Sequence, residues 1–535
     1  MLKRYINSLI VNWKESLFLF TLGVFLISLP TSVALISFTA PALLLVWIIT
    51  GDYKEKWNRL IHNKSALLLM TIPLLYLIGL CFTHNFAVGF QEFNKSSYWF
   101  TFAFVLSSSP PISYKNTRRL LWIYILTVTV AAGVALFKLL LYDALLFSDF
   151  RKVTWVEHIQ FSYQMAFVIW LIVYFIFNEN LGRIKKTVLL LLIAFLIVVL
   201  FSIKSFNGYL YFGVMSFTAL LMLIWQVRKR LLKITLLGTV ILLSMLPIFY
   251  IYYCVQKFYN TTEYSPENIE KYTAQGNLYD HDFEDYTKEN GNYTSLFLCE
   301  EELIPLWEAH CSKPYHSTTV NGYPFRCVII RYMTSKGLTK DAEGFAQLSQ
   351  QDIYNIENEI PNYIYAENKL NIYPRIYETI WEIDQYRIDR DPNRKSLAQR
   401  IEQALLTVGI IKKHPWVGIG VGNNASAYNE VVVESGSKLT DKQMGSSHNQ
   451  YFNYLIRFGI LGTLYILGVL VYVFLKGRKN NPFLITIFFV SMLIVNFGEA
   501  NWETFVGINF FSFFICFLMW FLPKKIPEKN DHFVI

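Results

Sequence analysis

Charge is scarce in this chain. Of 535 residues only 16% are Asp, Glu, Lys or Arg, against 54% hydrophobic and 17% aromatic, with 44 Phe and 34 Tyr. A water-soluble protein of this length carries more charge and shorter apolar runs, so that class is excluded. Cysteine is also sparse, at six residues. Cys81 and Cys516 fall in apolar runs and read as packing residues. Cys254, Cys299, Cys311 and Cys327 fall in or beside a polar segment. The spacing of the last three is wrong for a zinc ribbon, and they are near enough in sequence for one disulfide whose connectivity stays open. There is no internal repeat. No small-residue cleavage site follows the first apolar run, which leads at once into another, so it reads as a retained anchor.

What is present is a series of apolar runs near the roughly 20 residues that cross a bilayer. They lie near 15–30, 31–50, 65–83, 96–110, 119–142, 158–177, 187–203, 207–226, 233–254, 454–476, 482–498 and 505–522. The expected fold is an all-α polytopic membrane protein of about twelve transmembrane helices. The net charge of +9 does not point to nucleic acid, because its distribution follows the membrane. With the amino terminus inside, the inner loops hold Lys54, Lys56, Arg59 and Lys64, then Lys115, Arg118 and Arg119, then Arg183, Lys185 and Lys186. Arg228, Lys229, Arg230 and Lys233 follow, then Lys476, Arg478 and Lys479, with Lys524 and Lys525 near the end. The opposite loops mostly lack them, as the positive-inside rule requires. Both termini are therefore expected inside. Residues 1–253 form an amino-terminal membrane region, 254–450 a large extracytoplasmic loop domain between the ninth and tenth helices, and 451–535 a carboxy-terminal membrane region.

The loop domain keeps aromatics such as Trp307, Tyr323, Phe325, Tyr377 and Trp381, so it is expected to be ordered and mainly helical. Residues 396–413 read as an amphipathic helix with Ile401, Leu405, Val408 and Ile411 on one face and Arg400, Gln403 and Thr407 on another. It stops at His414-Pro415. Gly418-Ile419-Gly420-Val421-Gly422-Asn423-Asn424 then reads as a flexible hinge. It lacks the preceding strand and following helix of a dinucleotide fingerprint.

The residues that can carry chemistry gather where the loop re-enters the membrane. His448, in Ser446-Ser447-His448-Asn449-Gln450-Tyr451, is expected in the first turn or cap of the tenth crossing, where an imidazole can accept a proton near neutral pH. Asn449 and Tyr451 beside it are candidate substrate contacts. The guanidinium of Arg400 can grip phosphate oxygens with two donors at once. Lys204, in the short outer link Lys204-Ser205-Phe206-Asn207-Gly208, breaks the charge rule and is a candidate phosphate contact. Arg151, Lys152, His158 and Tyr163 surround the outer mouth of the sixth crossing. Arg457 and His158 are further candidate substrate contacts, and Arg457 lies far enough into the tenth crossing to need a partner or a wet cavity, with Glu499 and Glu503 as possible partners. Asp280-His281-Asp282 with Glu284 and Asp285 can be drawn as a metal site but reads better as an acidic exposed turn. Basic groups and a histidine on the outer face suit a membrane-embedded diphosphate leaving group and an acceptor arriving from water. This arrangement demands no metal or other cofactor.

Three stretches carry a resemblance to a known family. They are Ser396-Leu397-Ala398-Gln399-Arg400, then Lys413-His414-Pro415-Trp416-Val417-Gly418-Ile419-Gly420-Val421-Gly422-Asn423, then Ser447-His448-Asn449-Gln450-Tyr451 with Gly459 and Gly462. In order, spacing and topology they resemble the O-antigen ligase and polymerase superfamily of bacterial envelope proteins. The resemblance implies a metal-independent, inverting glycosyltransferase in the inner membrane. Its donor would be a glycan on undecaprenyl pyrophosphate, and its acceptor another glycan, a lipid A core or a further molecule on the periplasmic side. Arg400 would contact the pyrophosphate, and His448 would act on the acceptor or help hold the donor. The chain departs from the pattern in having Lys204 where an arginine is usual, Ala404 where a tryptophan is, and Arg457 where an acidic residue is. A ligase and a repeat-unit polymerase share this chemistry. A polysaccharide transporter or flippase is the rival of another class, although the large outer loop breaks the symmetry of two six-helix halves. A metal-dependent lipid-phosphate glycosyltransferase would need paired carboxylates in the first outer loop, which this chain lacks.

Overall fold

Every one of the apolar runs folds as a helix, because a backbone without water must satisfy its own hydrogen bonds. The computed structural model describes residues 2–143, 153–203, 205–320, 322–366, 372–393, 395–440 and 447–522. Among the described residues eight helices are long and apolar enough to cross a membrane: Trp13–Thr31, Lys64–Phe82, Tyr114–Leu141, His158–Asn178, Arg183–Ser202, Phe206–Gln226, Arg230–Tyr259 and Gln450–Gly477. A ninth is reached if Val33–Ile49 is taken with Tyr53–Ile61, from which it is bent by 117°. The remaining three runs are Phe86–Ser108, whose apolar face is interrupted by Glu92 and Lys95, and the short helices Pro482–Val495 and Phe505–Trp520. The one sheet among the described residues is a two-stranded hairpin pairing Lys288–Glu289 with Asn292–Tyr293.

The chain divides into two compact units: 1–234 with 403–535, and 235–402. In the first, the short helix Phe505–Trp520 is the centre of the bundle, with every residue from 506 to 519 buried. Its Phe513 ring lies 4.8 Å from Phe25, and its Phe514 ring 4.7 Å from Phe167 and 4.9 Å from Tyr124. A helix that is apolar all round must lie inside protein or face lipid. This one lies inside, whereas Arg183–Ser202 leaves Ile184, Val188, Leu190, Leu191 and Val198 exposed on a surface suited to acyl chains.

The second unit buries several carboxylates, and Glu289 is enclosed completely. Glu289 lies 2.6 Å from Arg331 Nη2, and it accepts from Asn362 Nδ2 at 2.6 Å and from the Tyr377 hydroxyl at 3.1 Å. The Arg331 guanidinium stacks 3.9 Å above Trp381. A fully buried carboxylate persists only with such partners. The six cysteines are all unpaired, so the disulfide allowed by the spacing of Cys299, Cys311 and Cys327 is not formed. His281 engages both ring nitrogens, Nε2 with the Glu270 carbonyl at 2.9 Å and Nδ1 with the Phe297 amide at 3.1 Å, while Asp280, Asp282 and Glu284 stay exposed. The acidic stretch is thus an exposed turn pinned by its histidine.

Helix Ser396–Lys413 forms where expected, but its buried face differs. Ile401, Leu405 and Val408 are 36%, 61% and 38% exposed, while Leu406 and Ile410 pack in a cluster with Tyr428, Val431, Val432 and Ile456. The reason is a further helix, Asn424–Ser435, which supplies that cluster and directly follows the glycine-rich segment.

Candidate functional site

The glycine-rich segment is a rigid strap, not a hinge. Helix Gln450–Gly477 is broken at Gly459, whose φ of 60° and ψ of −166° are open to glycine alone. The break frees backbone groups on both sides, and the strap binds them. Ile419 and Gly420 amides donate to the carbonyls of Ile456 and Arg457 at 2.8 and 3.0 Å. Ile460 and Leu461 amides donate to Pro415 and Trp416 at 2.8 and 3.2 Å. The approach is so close that a Cβ on Gly459 would sit 2.3 Å from Trp416, and one on Gly418 2.5 Å from Ile456 and Arg457. Two motifs far apart in sequence are therefore one backbone-bonded element.

Arg457, two residues before the break, is 3% exposed and meets two carboxylates. Nη2 lies 2.8 Å from Glu92 Oε1 and 3.1 Å from Glu503 Oε2, and Nη1 also binds Glu503 Oε1. Glu92 Oε2 further accepts the Gly422 amide at 3.1 Å. The ion triad thereby ties the strap, helix Phe86–Ser108 and the connection before the last helix into one frame. Of the two partners the sequence offers, Glu503 binds Arg457, and Glu499 instead binds His448.

His448 precedes the helix rather than entering it. Asn449 is the N-cap, its Oδ1 accepting from the amides of Tyr451 and Phe452 at 2.9 and 3.2 Å. His448 itself has a φ of 49°, a conformation that costs free energy for a residue with a side chain. Its neighbours hold it there. Ser447 Oγ donates to Asn453 Oδ1 at 2.9 Å, and the Gln450 amide donates to the Asn496 carbonyl at 2.9 Å. Gln450 Oε1 accepts from the Trp502 amide at 2.9 Å. The Tyr451 hydroxyl donates to the Leu493 carbonyl at 2.5 Å, and its ring lies 4.5 Å from Phe497. The polar groups of Asn449 and Tyr451 thus serve the backbone, and the imidazole is left 40% exposed with Nδ1 3.1 Å from Glu499 Oε1.

A third acid, Glu157, stands at the N-terminus of helix His158–Asn178, near enough to feel both members of that pair. Burial is the main cause that raises its carboxyl above the ordinary range, the Glu499 carboxylate adds to this, and His448 opposes it. Its outer edge nonetheless remains open to solvent. His158, half-buried, begins the same helix, and its carbonyl accepts from Ser162 Oγ at 2.7 Å. Sequence reading singled out His158 and missed Glu157; the only local signal is an acidic residue at a helix start.

Lys204, Arg151 and Lys152 lie outside the described residues, as does Ser446. The neighbours of Lys204 are informative. Ser205 and Asn207 are 2% and 5% exposed, and Asn207 Oδ1 lies 3.2 Å from where a Cβ on Gly498 would stand, one residue before Glu499. Arg400 is half-buried on helix Ser396–Lys413 and belongs to the other compact unit. Against the strap lies a cavity of about 800 Å³, lined by apolar Leu75, Ile78 and Leu461 and by polar His84, His414 and Asn423. The mouth therefore offers a fixed imidazole with a carboxylate at its back and a second carboxyl with a raised pKa, while the cavity lies against the strap.

Residues 362–467 match the family model described as O-Antigen ligase. No curated protein matches the chain. The matched stretch takes in Arg400, the strap, His448, Arg457 and the helix break.

Proposed function

We propose, from the match of residues 362–467 to the family model described as O-Antigen ligase, that this bacterial envelope membrane protein transfers a glycan from undecaprenyl pyrophosphate to an acceptor on the outer face of the inner membrane. The observation that carries the reading is His448, strained, exposed and backed by Glu499 at 3.1 Å. A carboxylate accepting Nδ1–H fixes the tautomer and leaves Nε2 as the acceptor of a proton. In the step, the acceptor hydroxyl oxygen attacks the anomeric carbon as the bond to the pyrophosphate oxygen breaks. The hydroxyl proton passes to His448 Nε2, and the electron pair leaves with polyprenyl pyrophosphate. Attack opposite the leaving group inverts the anomeric centre. Arg400 and Lys204 are the cations assigned to the departing pyrophosphate. The cavity against the strap is assigned to the first part of the polyprenyl chain. Glu157 is assigned a place beside the acceptor, where a carboxyl with a raised pKa can exchange a hydrogen bond with a sugar hydroxyl.

The step uses the chain's own base and cations, so transfer by purified protein is expected to survive chelation. Loss of activity in chelator would instead favour a metal-dependent lipid-phosphate glycosyltransferase. The direct test is a reconstituted assay with undecaprenyl-pyrophosphate glycan and candidate acceptors. His448→Ala and Arg400→Ala are expected to abolish product while membrane insertion persists. Full activity in either removes that residue from the site. Movement of the lipid-linked glycan across the bilayer without a new glycosidic bond would make the protein a transporter. A ladder of glycan lengths lost on deletion would mark a polymerase, and loss of capped acceptor alone a ligase.

A further inference from the structure

The helix that His448 precedes runs about 40 Å to its far end, where Lys476 lies in its last turn. There a second recess opens. It has a volume of about 540 Å³, and its basic lining comes from separate segments: Arg59 and His62 at the end of helix Tyr53–Ile61, Lys64 at the start of helix Lys64–Met70, and Lys476. Glu55 pairs with Arg59 at 2.9 Å, but that carboxylate is 72% exposed, and such a pair neutralises little. Among the described residues neither Lys64 nor Lys476 meets a carboxylate. His62 Nδ1 donates to the Asn58 carbonyl at 2.7 Å, which leaves Nε2 available.

A second observation points the same way. Ser107 lines the recess, is 9% exposed, and its Oγ has no hydrogen-bond partner among the described residues. A buried hydroxyl without a partner is costly, and a phosphate oxygen is a strong acceptor for it. The remaining wall is apolar and aromatic, with Leu106 and Trp520 beside the cations. The recess stands where helix Lys64–Phe82 begins and helix Gln450–Gly477 ends, which is the level of lipid headgroups for helices that span. Cations above an apolar wall at that level match a molecule with a phosphate at one end and acyl chains below it.

We propose that this recess binds the phosphodiester headgroup of an anionic bilayer lipid, with Arg59, Lys64 and Lys476 on the phosphate and Ser107 as a hydrogen-bond donor. The site is separate from the histidine mouth, and the proposal does not rest on glycosyl transfer. The test uses the full-length protein, delipidated in detergent and titrated with phosphatidylglycerol, phosphatidylcholine or inorganic phosphate, with bound lipid read by native mass spectrometry. Phosphatidylglycerol is expected to bind at least tenfold more tightly than phosphatidylcholine. Arg59→Gln/Lys64→Gln/Lys476→Gln should weaken it at least tenfold, and Ser107→Val about threefold, the worth of one hydrogen bond. If the triple variant does not reach the membrane, Lys64→Gln and Lys476→Gln singly carry the test, each with about a threefold loss. Wild-type affinity in these variants would overturn the site. Inorganic phosphate binding as well as phosphatidylglycerol, and displacing it, would overturn the lipid as occupant.

Discussion

The two ends of helix Gln450–Gly477 are built on opposite electrostatic plans. At its start an imidazole stands among carboxylates, Glu499 in contact and Glu157 nearby. At its finish Lys476 shares a recess with Arg59 and Lys64. The first end holds an imidazole against a carboxylate and a second carboxyl whose proton affinity is raised. The second holds fixed charge and nothing that needs to titrate. We assign proton transfer to one end and anion binding to the other. Between them the helix is interrupted at Gly459, and the interruption is repaired by backbone from the strap.

That division can be broken at its centre. Gly459→Ala places a Cβ 2.3 Å from Trp416 on a backbone closed to alanine, and should leave little folded protein in the membrane fraction. Ordinary expression and melting would show that the break can close into continuous helix. Next in size is Arg457→Ala, which strands Glu92 and Glu503 with uncompensated charge. A loss of about 3–5 kcal/mol is expected, with Glu503→Gln recovering part of it. Melting temperatures of the single and double variants check this, and independent additive effects would dissolve the triad.

His448→Ala tests the histidine end alone. Transfer should fall at least about 100-fold, or roughly 2.7 kcal/mol, with melting unchanged. Glu499→Gln should cost less, about tenfold, since an amide can still accept Nδ1–H without stabilising the imidazolium. Lys476→Gln, at the other end, should leave transfer as it is.

The smallest effect is expected at Glu157. A carboxyl raised in the folded state keeps its proton while the unfolded chain releases one. The group therefore destabilises the fold as pH rises above 4.5, its ordinary value, and costs nothing below it. Glu157→Gln should raise the melting temperature by about 1 °C at neutral pH and by nothing at pH 4. A rise of equal size at both pH values would assign the effect to packing.

Much of this was legible in the chain. Each apolar run marked a helix, and among the described residues eight of these are long and apolar enough to cross a membrane; the order of the three motifs marked the stretch that matches the family model. Glu499 and Glu503 were visible as partners, yet which one served Arg457 was not, because both lie within one turn-length of chain and only packing separates them. Glu92 carried a faint signal as an acid inside an apolar run, and Glu157 almost none. The face of helix Ser396–Lys413 was misjudged for a related reason. Apolar periodicity named Ile401, Leu405, Val408 and Ile411, of which only Ile411 packs against the buried cluster, because the surface that covers a helix is supplied by another segment, here Asn424–Ser435. The glycines at 418, 420 and 422 suggested looseness, whereas each has a positive φ and two bring backbone within bonding distance of the broken helix.

The sequence by itself determined the solvent and the secondary structure. Transfer of apolar side chains out of water is local and additive, so a run of 20 such residues carries its own instruction. It also determined the basic end of the bundle, since like charges there are strung along the chain in short loops. Tertiary structure alone decided the acidic mouth, the repaired helix break and the partner of each buried ion. Those depend on distances between groups hundreds of residues apart, such as Glu92 and Arg457, and Coulomb and hydrogen-bond energies follow distance in space rather than position in the chain.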